Sequence, residues 1–230
     1  MGLGHLVRLV AAYGWRWEPE WLVEEMRANL APIVDDAVFV DDRDRVGPWG
    51  HEGAYRRRQR QLLRDAGADW VLLTSPDERF EDGAASVIRD VIERGPQNQV
   101  YTLRVCEMWT PTAFRVDGSF AHRPRVRLFP LAAMERRLPN RRIHSKPVRK
   151  SLRRRAVHLD VRIYHLKHIL PENRSRRVEV MKELDAETGR HRPQVWDEFL
   201  ADDSAVRLEE VPPDRAFSPP LTRDFHWDPQ

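Results

Sequence analysis

The feature that most constrains the fold is a regular alternation of strand-type and helix-type patterns over the first 105 or so residues. The strand candidates are short runs rich in branched apolar residues. They lie at 5–12, 37–41, 69–73 and 99–109. The segments between them carry apolar residues at helical spacing, and they lie at 17–34, 54–66 and 84–92. This alternation predicts an α/β fold with a mostly parallel sheet and helices on both faces, because right-handed crossovers require that arrangement.

The first helical segment shows the pattern most clearly. Leu22, Met26, Leu30 and Ile33 follow one another at spacings of four, four and three, which places them on one face of a helix. Residues 18–20 (Glu-Pro-Glu) suit a first helical turn, because acidic residues and proline are favoured there. The pattern therefore predicts an amphipathic helix that begins near residue 18.

Polar clusters follow the second and third predicted strands. Asp41 and Asp42 come after the second strand, and Ser75, Asp77 and Glu78 come after the third. Open α/β sheets bind ligands at the carboxyl ends of their strands. We therefore expect a binding site where these clusters meet.

From about residue 110 the pattern changes to short strands separated by basic turns, followed by one more helix. These elements are predicted near 114, near 125, at 157–166 and at 173–184. We assign residues 1–185 to one domain and residues 186–230 to a proline-rich, acidic tail. The tail is expected to pack on the domain surface or to be loosely ordered, with Trp196 and Trp227 as anchor points.

Charge and cysteine content narrow the class of protein. The 39 basic residues face 36 acidic ones, which leaves a formal charge of only +3, so the composition permits a nucleic-acid partner without requiring one. Cys106 is the single cysteine, so an internal disulfide is excluded. The apolar run 6–13 is too short to cross a bilayer, and the start lacks the pattern of a secretory signal. These features predict a cytoplasmic protein without a transmembrane segment.

The segment GADWVLLTSPDERFE, residues 67–81, resembles the part of the family 2 glycosyltransferases in which a hydrophobic strand precedes DxDE and an aromatic residue. In that family the acidic pair holds a divalent cation on the diphosphate of a sugar nucleotide, which is work for hard oxygen ligands. Asp77 matches the second aspartate, and Ser75 stands in place of the first. The resemblance implies a Mn²⁺ or Mg²⁺ cofactor on Asp77, with Ser75 able to offer a hydrogen bond but no charge.

Five further segments resemble that family in the same order along the chain. They are AVFVDDR (37–43), GAYRRRQRQLLRDAGADW (53–70), RLFP (127–130), RRIHSKPV (141–148) and IYHLKH (163–168). The likeness spans roughly residues 5–185. It implies a GT-A-type, Rossmann-like nucleotide-sugar-binding domain with a basic C-terminal extension.

The resemblance also suggests residues for the donor nucleotide. Tyr13 is a candidate to stack on the base, and Asp41 and Asp42 are candidates to accept a hydrogen bond from it. Arg57 or Arg58, on the arginine-rich helix, is expected to reach the diphosphate. Arg141, Arg142 and Lys146 are further candidates for the same role, because cations stabilise the charge that develops on a leaving diphosphate.

The catalytic and metal-binding candidates are Asp77, Glu78, Glu107, His144 and His165. His144 and His165 compete for a third metal contact, and we favour His144. The base that takes the acceptor proton is harder to assign, because Ser145 stands where the family's histidine segment has a glutamate. Glu107 ranks first as its substitute, ahead of Asp117 and Glu135.

The sequence therefore predicts a glycosyltransferase that moves a sugar from a nucleotide-sugar donor to an acceptor hydroxyl on a glycan, a lipid-linked sugar or a protein. Two alternatives remain open. A catalytically inactive binding module would explain the serines at 75 and 145. A nucleic-acid-binding protein, which we rank lower, would use the basic stretches 56–60, 136–142 and 149–155 against phosphates.

Overall fold

The computed structural model describes residues 7–43, 52–121, 124–134, 146–188 and 196–227. The strands are β1 (Leu9–Trp15), β2 (Asp36–Asp41), β3 (Trp70–Leu73), β4 (Glu78–Phe80), β5 (Tyr101–Glu107), β6 (Ala113–Arg115), β7 (Pro124–Pro130), β8 (Val157–His165) and β9 (Leu208–Glu210). The α-helices are α1 (Glu20–Leu30), α2 (Glu52–Asp65), α3 (Ala84–Arg94), α4 (Lys150–Arg153) and α5 (Pro171–Thr188). No helix in these ranges is both long enough and apolar enough to span a membrane.

Seven of the strands form one mixed sheet in the order β2-β1-β3-β7-β5-β8-β4. β1 pairs in parallel with β2 and β3, and β5 pairs in parallel with β8. β7 is inserted antiparallel between β3 and β5, and β4 lies antiparallel to β8 at the edge. The predicted α/β class is confirmed, and the two antiparallel strands make the sheet less regular than the alternation alone suggests.

The residues of β1 show how the helices cover both faces of this sheet. Leu9, Ala11 and Tyr13 pack in one buried cluster with residues of α1 and α3. Val10 and Ala12 point to the opposite face and share a second cluster with α2. Since successive side chains of a strand alternate between faces, a strand that is apolar at every position must be buried on both sides.

Several local boundaries differ from the sequence-based prediction. β1 runs over Leu9–Trp15 instead of 5–12, of which residues 5 and 6 lie outside the described residues. α1 begins at Glu20, and the Pro19 carbonyl accepts hydrogen bonds from the amides of Leu22 and Val23, so Glu18 precedes the helix. Glu78 does not lie in a loop after β3 but begins β4, where it is opposite His165 of β8. Glu18 and Glu78 therefore both lie closer to the carboxyl edge of the sheet than the sequence pattern predicts.

A third buried cluster joins the tail to the rest of the chain. Trp196, Phe199, Phe225 and Trp227 pack there against α5 and the end of β5. The indole N–H of Trp196 donates to Asp185 at 3.0 Å, and the Trp227 amide donates to the Asn173 side chain at 2.7 Å. β9 pairs with β6. The described part of the tail is therefore packed on the domain, and both predicted anchors are buried.

Cys106 lies in β5 with 2% of its surface exposed, and burial raises the pKa of its thiol to about 12. Because the thiolate is the reactive form, a shift of this size lowers its population at pH 8 by about a thousandfold. We expect a disulfide reagent such as DTNB to leave the native protein unmodified over minutes and to titrate one thiol after unfolding in guanidinium. Rapid reaction of the native protein would contradict the buried position.

Candidate functional site

A cleft of about 200 Å³, here called the first cleft, opens at the carboxyl ends of β1 and β3. β1 has β2 on one side and β3 on the other, so the chain moves outward from β1 to β2 and then crosses back past β1 to β3. Such a switch point leaves a crevice between the loops that follow the two strands. The cleft is lined by residues from these loops, from α2 and from the segment after β8, among them Gly14, Glu18, Tyr55, Arg56, Asp77 and Lys167.

Gly14 allows the wall of the first cleft to form. A Cβ atom at this position would lie 2.7 Å from the hydroxyl oxygen of Tyr55, closer than such atoms approach. Tyr55 also accepts a hydrogen bond from the Gln59 amide at 3.3 Å. A larger residue at position 14 would therefore displace the Tyr55 ring.

Asp77 forms the buried floor of the first cleft. Its Oδ2 lies 3.2 Å from His165 Nε2 and 3.0 Å from Lys167 Nζ. Its Oδ1 is buried and has no hydrogen-bond partner among the described residues. Burial alone would raise the pKa of Asp77, but the charges of Lys167 and His165 outweigh burial and hold the pKa well below its ordinary value. The floor is thus an ionised carboxylate with one oxygen still available.

His165 connects Asp77 to a second buried carboxylate. Its Nδ1 lies 2.5 Å from Glu107 Oε2, and the same oxygen lies 3.0 Å from Nδ1 of His168. Burial lowers the pKa of His165, but Glu107 and Asp77 outweigh it and raise the pKa to about 9. Burial lowers the pKa of His168 to about 3 despite its contact with Glu107. At neutral pH His165 is charged and His168 is neutral.

Glu78 is a buried carboxylate that contacts the loop carrying Ser75 and Asp77. Its Oε2 accepts from the Ser75 amide at 3.0 Å and from the Thr74 hydroxyl at 3.4 Å, and its Oε1 pairs with Arg127. Burial raises the pKa of Glu78, and the Arg127 charge opposes that effect. Glu78 does not line the first cleft, whereas Ser75 does. Its contacts fix the loop that carries Ser75 and Asp77.

The nucleotide-base candidates lie beside the first cleft and do not line it. Tyr13 is in the core, where its ring stacks on Phe39 at 5.6 Å and its hydroxyl accepts from Arg27 at 2.8 Å. Asp41 pairs with Arg43 at 2.6 Å, and hydrogen bonds from this arginine lower the pKa of Asp41 to about 2. Asp42 pairs with Arg16, a side chain that does line the cleft.

The predicted phosphate-binding cations are distributed differently from the expectation. Arg57 and Arg58 are exposed and do not line the first cleft, whereas their neighbour Arg56 does. Lys146 lines a neighbouring cleft of about 370 Å³, here called the second cleft. The remaining candidates Glu135, Arg141, Arg142, His144 and Ser145 lie outside the described residues. Asp117 pairs with Arg115 at 2.5 Å, away from both clefts.

Within the described part of the chain, two donor sets could hold a divalent cation. The first is Asp77 Oδ1, a buried carboxylate oxygen without a protein partner, which fits a hard ion that completes its shell with phosphate oxygens and water. The second is the group Glu107, His165 and His168, whose candidate ligand atoms all lie within 4.8 Å of one another. The second set suits softer ions, since imidazole nitrogen predominates. His165 reaches both sets.

The site also contains charged and polar residues that the sequence analysis did not assign to it, namely Arg16, Glu18, Glu52, Tyr55, Arg56, Lys167 and His168. The segment IYHLKH contains two of them, and the pairing of β5 with β8 places Glu107 opposite His165. That pairing cannot be predicted from the local sequence pattern.

Comparison of the chain with protein-family models and with curated proteins finds no match.

Proposed function

We propose that the chain is a glycosyltransferase of GT-A type that binds a nucleotide sugar in the first cleft and moves the sugar to an acceptor hydroxyl. One observation carries the proposal. Asp77 lies ionised at the floor of a cleft at the sheet's switch point, with one buried oxygen unpaired and with Lys167 and His165 beside it. A switch-point cleft is where α/β sheets bind nucleotides, and the order of family 2-like segments in the sequence points to the same ligand.

The cations around the first cleft suit a diphosphate. Arg16, Arg56 and Lys167 line it from three separate segments of the chain. In transfer from a nucleoside diphosphate, negative charge develops on the leaving phosphate, and fixed cations stabilise that charge most effectively where water is restricted. The role we assign to these side chains is therefore to hold the diphosphate and to favour its departure.

A divalent cation, Mn²⁺ or Mg²⁺, belongs to the proposal. Asp77 Oδ1 would hold it, and the ion would neutralise charge on the departing diphosphate. His165, whose Nε2 contacts the other carboxylate oxygen of Asp77, would join the metal site only as the neutral imidazole, after the release of its Nε2 proton. Glu107 would fix the orientation of His165 through the 2.5 Å contact, as carboxylates commonly do for metal-binding imidazoles. Glu107 is thus a positioning residue rather than a group that touches substrate.

The acceptor proton requires a carboxylate that faces the cleft. Glu18 lines the first cleft and accepts hydrogen bonds from the amides of Arg16 and Trp17. Burial raises the pKa of Glu18, and the nearby charge of Asp77 raises it further. A raised pKa makes a cleft carboxylate a stronger base than an ordinary glutamate, which suits it to accept a proton. We assign Glu18 this role, with a glycan, lipid-linked sugar or protein as acceptor.

Thermal unfolding with a panel of UDP, GDP, CDP and dTDP sugars, with and without Mn²⁺, tests the proposal. We expect one nucleotide to stabilise the protein selectively, by about 2.7 kcal/mol at a ligand concentration of 100 Kd. Slow release of the free sugar should accompany binding, since water can replace an acceptor. Binding without any turnover would favour an inactive module, and no selective stabilisation by any nucleotide would reject the proposal.

A further inference from the structure

The second cleft adjoins the first, and Glu52 and Arg56 line both. Its described lining carries five basic side chains and one acidic side chain. The basic residues are Arg56, Arg125, Arg127, Lys146 and Arg153, and the acidic residue is Glu52. The whole chain is almost balanced in charge, so this concentration of cations is a local property of the cleft.

Three distant parts of the chain meet at this cleft. α2 contributes Arg56, β7 contributes Arg125 and Arg127, and the segment at α4 contributes Lys146 and Arg153. β7 runs antiparallel to β3 and β5, so its first residues reach the edge of the sheet where β3 ends. The antiparallel insertion is therefore what places the second cleft beside the first.

Several of these cations are held in position by hydrogen bonds. Arg56 donates to the Gln59 side chain at 2.9 Å, and Arg153 donates to the Val148 carbonyl at 3.0 Å. Arg127 is the member of the set that pairs with the buried Glu78. Among the described residues, no carboxylate lies within ion-pair distance of Lys146 or Arg153. The cleft thus orients positive charge and neutralises only part of it.

The cations also oppose one another. The pKa of Lys146 is lowered, first by desolvation and then by the charge of Arg125, although the residue as a whole is exposed at the surface. Like charges that line one cleft repel each other, and an anion bound between them relieves that repulsion. The arrangement therefore indicates an anionic ligand.

We propose that the second cleft binds a phosphate group carried by the acceptor substrate. Guanidinium groups match phosphate oxygens in pairs, and a lysine adds a point charge. The remaining lining is small or aliphatic, including Leu73, Thr102 and Val126, with no aromatic ring among the described lining residues. Recognition is therefore by charge rather than by stacking on a base or sugar ring.

The position of the cleft explains why the ligand belongs to the acceptor. Arg56 faces both clefts, so a phosphate in the second cleft lies next to the diphosphate that the proposed function places in the first. A volume of about 370 Å³ accommodates a phosphate together with part of the molecule that carries it. The assignment of the phosphate to an acceptor rests on the proposed function, whereas the anion site itself does not.

Calorimetric titration of the protein with inorganic phosphate at low ionic strength tests the site. We expect Lys146→Met and Arg153→Gln each to weaken phosphate binding about tenfold. Arg58→Gln removes the same charge from an exposed position on α2 outside the cleft and should leave binding within about twofold. Lys167→Met, in the first cleft, reports any phosphate that binds there instead.

The outcomes separate this inference from the proposed function. Phosphate binding that responds only to Lys167→Met would overturn the inference and leave the donor site intact. Phosphate binding that responds to Lys146→Met, in a protein that binds no nucleotide sugar, would support the anion site and reject the transferase. Competition by a sugar phosphate or by a short duplex oligonucleotide then identifies whether the phosphate is carried by a small molecule or by a nucleic acid.

Discussion

Asp77→Asn is expected to reduce sugar transfer at least about a hundredfold and to leave the protein folded. The substitution keeps the shape of the side chain and removes the negative charge that lies next to both Lys167 and His165. It also removes the anionic oxygen that would hold the divalent cation. Losing a single stabilising contact to developing charge costs about two to three orders of magnitude in rate, and this substitution affects both the cation and its neighbours.

The matched control is Asp36→Asn, which makes the same chemical change at a site where Asp36 and Arg8 form an exposed pair at 2.8 Å. Exposed pairs contribute about 0–1 kcal/mol, so activity and stability should stay near wild type. Thermal unfolding of both variants checks that they are folded, and release of sugar from the nucleotide that stabilises the wild type measures activity. Wild-type turnover by Asp77→Asn would show that Asp77 has no role in transfer.

Local pattern was sufficient to predict the first half of the fold. Strands β2 and β3 and helices α1 to α3 lie close to where apolar periodicity places them, and β1 lies a few residues later than predicted, because each of these elements buries a continuous apolar face. Asp77 was also predicted, since it follows a buried strand at the edge where α/β sheets bind ligands. These features depend on neighbours in the sequence, and the physical cause of each is local.

The remainder of the site depends on contacts between distant segments. Glu107 and His165 meet because β5 pairs in parallel with β8 in one register, and a shift of one residue would turn His165 to the other face. The place of β7 between β3 and β5 creates the second cleft, and no periodicity predicts that insertion. The sequence pattern predicts a helix that begins near Glu18, because acidic residues and proline are favoured in a first turn. In the structure the helix begins at Glu20, and Pro19 is the residue that precedes it.

Arg79 carries the second large expected effect, on stability. Its side chain is fully buried between β4 and α1. It donates to the carbonyls of Pro76 at 2.8 Å and Leu22 at 3.2 Å, and it pairs with Glu25 at 3.1 Å. One guanidinium thus ties the Asp77 loop to the first helix.

We expect Arg79→Met to lower the free energy of unfolding by about 3–5 kcal/mol, because the change removes the buried partner of an ion pair and a donor to the Pro76 and Leu22 carbonyls. Arg94→Met is the control, since Arg94 is 81% exposed and its pair with Asp90 lies on the surface of α3. Its effect should stay within about 0.5 kcal/mol. Urea unfolding of both variants measures the difference, and a loss below about 1 kcal/mol for Arg79→Met would mean that the loop is held by other contacts.

Because Pro76 precedes Asp77 directly, the same variant should also bind the nucleotide more weakly, which links the stability of this contact to the geometry of the cleft floor.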